Sequence, residues 1–93
     1  MDAAGSNHLV TEAHRELVQK HRQYIEEETA WKWAARAIAA YRNFVTSREH
    51  RWLRDSEAYL LEAVEHAAVA DESGELLREV RAWMRAYIPP GVL

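Results

Sequence analysis

Glu62-Ala-Val-Glu65-His66 brings two carboxylates and an imidazole within five residues, the side-chain types that ligate transition metals on helices. A di-iron site of the ferritin type needs a Glu from each of two helices and a Glu-x-x-His pair from each of two others. No Glu-x-x-His occurs in the chain. At helical spacing Glu62, Glu65 and His66 project away from Leu53, Leu60 and Val64, which predicts solvated surface, with a metal bridged between two subunits as the alternative. His14, His21 and Glu28 recur every seven residues and share a helix face with Leu17 and Tyr24. Successive members stand about 10 Å apart along a helix axis. Bonds to a metal are only about 2 Å long, so one helix cannot bring the three to a single ion. They read instead as an interface edge, where a titrating histidine would make assembly sensitive to pH.

Glu26, Glu27 and Glu28 are the third acidic group. They suit the positive end of a helix beginning there, or, in a continuous helix, form a solvated patch. General acid and base work needs carboxylates in a cleft with separated pKa values, and adjacency does not supply that. Arg78, Arg81 and Arg85 share one helix face, and Arg48, Arg51 and Arg54 rise along another, a spacing that could meet phosphates. Glu49, Asp55, Glu75 and Glu79 are interspersed among them and the net charge is −3, so nucleic-acid binding is disfavoured. There is no Gly-rich phosphate loop, G-x-S-x-G elbow, H-E-x-x-H or EF-hand spacing. No catalytic residue, metal ligand or cofactor is assigned, and the reading leans away from an enzyme.

The elements that would carry these residues are all helical. The 93 residues form one domain with one modest core, and 48% hydrophobic with 29% charged residues is a folding composition. The three glycines and two prolines lie at positions 5, 74, 91 and 89, 90, and no stretch sustains period-two alternation. Cysteine is absent, which removes disulfides and thiolate chemistry. The N-terminus lacks a basic then apolar leader and no apolar run is long enough to span a bilayer, so no membrane association and a cytoplasmic location are expected.

Residues 1–8 are expected to form a flexible tail. Val10, Ala13, Leu17, His21 and Tyr24 align along a helix over 9–25. Over 27–45 two adjacent stripes appear, one of Trp31, Ala34, Ile38, Tyr41 and Val45, the other of Trp33, Ala37, Ala40 and Phe44. The arc spans roughly 160°, so this helix needs neighbours on two flanks. The apolar face of 9–25 lies nearly opposite, which means either a turn near Glu27 or one continuous helix that changes partners. Thr46-Ser-Arg-Glu49 has capping-box spacing and predicts a helix over 47–70 with Trp52, Leu53, Ser56, Tyr59, Leu60, Ala63, Val64 and Ala67 inward. Asp71 or Ser73 then caps a helix over 73–88 whose apolar face is Leu76, Leu77, Val80, Trp83, Met84, Tyr87 and Ile88.

The expectation is an all-α antiparallel bundle of three or four helices that completes its core by dimerisation. Trp31, Trp33, Tyr41, Phe44, Trp52, Tyr59 and Trp83 are the interface or pocket candidates. Function follows as a small scaffold or adaptor that self-associates and binds a protein partner. A pocket for a small apolar or aromatic ligand, lined by Trp31, Trp33, Tyr41, Trp52, Tyr59 and Trp83, is the alternative.

Overall fold

The computed structural model describes residues 3–92, with side-chain surroundings from residue 11 onward, and their regular structure is entirely α-helix. Three helices follow in order: α1 Ala3–Ser47, α2 His50–Ala70 and α3 Glu75–Arg85. Among the described residues there is no strand.

The helix expected over 9–25 and that expected over 27–45 are one. Nothing between them breaks a helix: Thr29 donates its hydroxyl back to the Ile25 carbonyl at 2.7 Å, and Glu28 pairs with Lys32 one turn on at 3.4 Å. No turn forms near Glu27, so the N-terminal-dipole reading of Glu26, Glu27 and Glu28 falls away. Of the tail expected over 1–8, residues 1 and 2 lie outside the described residues, and α1 begins at Ala3.

The capping box is not formed. Thr46 and Ser47 turn their hydroxyls back to the Arg42 and Asn43 carbonyls, at 3.0 and 2.7 Å, and so extend α1 instead of starting α2. Arg48 then takes φ +62° and donates its amide to Phe44 at 2.7 Å, a left-handed helix stop filled by a non-glycine residue. Glu49 enters α2, its amide held by the Ser47 hydroxyl at 3.2 Å, so α2 starts at His50 rather than 47. Two residues reverse the chain and α2 runs antiparallel back along α1, as the contacts Ala37 to Ser56, Trp33 to Tyr59 and Glu26 to His66 record.

The packing surface of α1 on α2 is made of small residues. Ala30, Ala34, Ala37 and Ala40 on α1 and Ser56, Ala63, Ala67 and Ala70 on α2 are buried, which lets the two backbones approach closely. Ser56 is fully buried, and its hydroxyl donates to the Ala37 carbonyl at 2.8 Å. α3 supplies the larger groups Leu76, Val80 and Met84, and Ile88 tucks in behind it. Ile38 joins them from α1.

The N-cap expected at Asp71 or Ser73 falls instead on Gly74 at φ +82°, and α3 starts at Glu75 rather than 73, while Asp71 and Ser73 build the turn before it. Asp71 accepts from the Ser73 hydroxyl at 2.7 Å, the Ser73 amide at 2.9 Å and the Leu76 amide at 3.2 Å. The Ser73 hydroxyl in turn accepts the Glu75 amide at 3.3 Å. α3 closes at Arg85, earlier than 88, and the chain passes through turns into Pro89 and Pro90.

α2 and α3 cover only the C-terminal half of α1. Residues 11–25 are exposed without exception. The molecule is accordingly long, 71 × 21 × 13 Å with a radius of gyration of 18.9 Å. Over a 45-residue helix at about 1.5 Å per residue, that length is essentially α1 itself.

Candidate interaction surface

The aromatic candidates divide between the two flanks of α1. Trp31 meets Trp83 of α3 edge to face at 5.5 Å, and Trp83 continues to Tyr87 at 6.1 Å. On the other flank Trp33 meets Tyr59 of α2 at 5.5 Å. Tyr41 lies 6.2 Å from Phe44, which reaches His50 at 5.7 Å across the chain reversal. Trp52 is covered by the Arg51 guanidinium at 4.9 Å, Trp33 by Arg36 at 4.6 Å and Tyr87 by Arg42 at 5.3 Å. Three arginines thus stack on ring faces, an attraction of cation for π-electron density.

All seven candidates are half-buried except Trp83, which is exposed together with Tyr87, so the expected apolar face of α3 is buried along Leu76, Val80, Met84 and Ile88 and half-covered at Leu77. The set does not close around one space. A depression of about 180 Å³ lies over Ala35, Ile38, Ala39, Arg42, Trp83 and Tyr87. A separate open hollow of about 410 Å³ lies over Tyr24, Glu27, Glu28 and Trp31, so no one pocket gathers the set.

The acidic and histidine candidates also separate. His66 Nδ1 stands 2.5 Å from Glu26 Oε2, and Nε2 stands 3.6 Å from Glu62 Oε2. The side chains of His66 and Glu26 keep only 29% and 25% of their exposure, so His66 edges the α1–α2 seam and is not on the open surface expected for it. Glu65 does remain exposed. The two carboxylates take opposite ring nitrogens and so cannot converge on one ion, and among the described residues no group of three potential ligands is placed to hold a metal. The contact of Glu26 on α1 with His66 on α2 joins the two helices at the edge of their seam. The sequence named Glu62 and His66 but not Glu26 as their partner, because the pairing spans forty residues.

Among the described residues Asp71 is the one titratable group clearly displaced. The Ser73 hydroxyl foremost, then the Ser73 and Leu76 amides, hold its carboxyl below its ordinary value of 3.8, with Arg78 adding attraction.

What the sequence expected to be packed and the structure leaves open is the N-terminal half of α1. Leu17 and Tyr24 keep 66% and 64% of their exposure, and Val18 and Ile25 are also exposed. His14, His21 and Glu28 lie among them, exposed as well. Val10, expected on the same stripe, has its side chain outside the described residues. At about 100° per residue this strip points almost directly away from Ala30, Ala34 and Ala37, which face α2 and α3. The strip continues up α1 through exposed Ala35, Ala39 and Arg42. No described helix is long and apolar enough to cross a membrane.

Compared with protein-family models, with curated proteins and with solved structures, the chain finds no match.

Proposed function

We propose that this protein is a small non-enzymatic scaffold or adaptor, a three-helix bundle that acts by self-association and protein contact through the exposed N-terminal half of α1. The observation that carries the proposal is the row Leu17, Val18, Tyr24 and Ile25, open to solvent on the side of α1 away from its own core. Contiguous apolar surface of this kind marks interaction sites. A helix offering apolar anchors seven residues, or two turns, apart, as Leu17 with Tyr24 and Val18 with Ile25 do, is a form in which helices enter a partner's groove or pair with another helix. The aromatic candidates support this reading over ligand binding, because Trp31 with Trp83 and Trp33 with Tyr59 close two different interhelical seams instead of lining one cavity.

Light scattering at micromolar concentration tests it. The expected mass is about twice the 10.8 kDa of the chain. Leu17→Ser with Tyr24→Ser returns the mass to that of one chain while the helical ellipticity persists. A wild-type chain that scatters as a monomer across that range refutes self-association.

A further inference from the structure

We infer that the open face of α1 receives α1 of a second copy running antiparallel, with Lys20 against the partner's Glu27 and Val18 against the partner's Ile25. This rests on the self-association proposed above and specifies its surface, direction and register.

His14, Leu17, His21, Tyr24 and Glu28 follow one another at alternating spacings of three and four, the spacing of a seam between two helices. Val18 and Ile25 border the seam on one side and Lys20 and Glu27 on the other, all of them exposed. Parallel pairing puts each seam residue against its own copy, so Glu28 meets Glu28 and His21 meets His21. Antiparallel pairing removes both conflicts. Each flank then meets the same flank of the partner: the apolar border closes as Val18 on Ile25, twice, and the charged border as Lys20 on Glu27, twice. Across the seam His21 lies beside the partner's Tyr24 and His14 beside the partner's Trp31. Glu28 meets Leu17, but Lys32 at 3.4 Å draws its carboxylate to the rim.

The register follows from charge. Sliding one helix by a heptad in one direction sets Lys20 against Lys20, and sliding it in the other sets Glu27 against Glu27. Like charges across such an interface suppress the wrong pairing. Only the intermediate register satisfies both borders.

Two further features favour a second copy as the occupant. Neither α2 nor α3 covers residues 11–25, and α3 flanks the face only from Trp31 onward, so two chains can bring these faces together with their bodies apart. The partner's N-terminal residues then pass along Ala35 and Ala39, small and exposed, in the depression walled by Trp83 and Tyr87. The charged row and its complement are on one chain, which is the condition for a two-fold symmetric interface.

Charge reversal at the two border positions tests the arrangement. Lys20→Glu alone and Glu27→Lys alone each set two like-charge pairs in the homodimer, and each is expected to raise its dissociation constant at least ~10-fold. Mixing the two variants is expected to restore a dimer, since every border pair is then opposite in charge. Sedimentation equilibrium on each variant and on the mixture reads this directly. If the wild type dimerises and neither single substitution weakens it, or the mixture fails to recover, the antiparallel register is overturned while self-association stands. If the wild type is monomeric, self-association fails and the register with it. A spin label at Glu12→Cys, the sole thiol in the chain, gives a second measurement that does not depend on the charge variants folding. Antiparallel pairing places the two labels about 30 Å apart along the axis, whereas parallel pairing places them side by side. A side-by-side distance refutes the inference.

Discussion

Ser56 gives the sharpest test of how α1 and α2 hold together. It is fully buried among alanines and its hydroxyl donates to the Ala37 carbonyl at 2.8 Å. Ser56→Ala removes that donor, but the Ala37 carbonyl, in the interior of α1, keeps its helical amide and no buried group is orphaned. The loss is then that of one net hydrogen bond, about 1 kcal/mol. For a domain of this size that lowers Tm by about 4–8 °C. Ser56→Val is the informative partner. By transfer alone its added methyl groups would contribute about 0.8 kcal/mol each and leave the protein no weaker than wild type. The opposing helix offers no room, however, because Ala34 and Ala37 are themselves fully buried. Forcing carbon into a filled interface costs about 1–3 kcal/mol. Added to the lost hydrogen bond, the valine variant should fall about 2–4 kcal/mol below wild type, and below the alanine variant. Urea unfolding followed by ellipticity at constant chain concentration measures both. A valine variant as stable as wild type would mean that the helices are not in close contact at Ser56 and that the small-residue packing is misconceived.

Arg48 holds φ +62°. Glycine removes a steric cost of about 1–2 kcal/mol while adding a smaller entropic one, so Arg48→Gly should stabilise by about 0.5–1 kcal/mol in thermal unfolding, and Arg48→Val should destabilise. Asp71 has a depressed pKa, so it contributes stability that is complete above its ordinary value of 3.8 and is lost as pH falls through the lower folded value. The stability difference between wild type and Asp71→Asn should therefore be present at neutral pH and shrink on acidification below that ordinary value, as read by urea unfolding across the pH series. A difference that grew toward acid would contradict the hydrogen bonds drawn from Ser73 and Leu76.

Periodicity identified the inward faces of α2 and α3 well: Ser56, Ala63, Ala67, Leu76, Val80 and Met84 are all buried as expected. It misjudged Trp83 and Tyr87, because an apolar stripe states which residues prefer cover and not how wide the available cover is. The same limit applied to Leu17 and Tyr24. Their spacing fixed a common face, but whether a second helix lay against it depended on where α2 ended. The Thr46 to Glu49 spacing fitted two local structures equally, and the hydroxyls chose the carbonyls of the preceding turn. Continuity through Glu26, Glu27 and Glu28 was legible only as a lack of breakers, and the Thr29 hydroxyl bonds back to the Ile25 carbonyl within the unbroken helix. Glu26 with His66 could not be read at all until the antiparallel course of α2 was known.

The length of α1 also governs how this molecule moves through solvent. A compact chain of this size has a radius of gyration of about 12 Å, against the 18.9 Å found here. A single copy therefore drags on water like a considerably heavier sphere, and its elution volume alone would imitate a dimer. It also tumbles anisotropically, so amide vectors along α1, nearly parallel to the long axis, should relax differently from those in the turns at Arg48 and Gly74. That contrast reports the rod shape in a solution of one copy or two, independently of any mass measurement.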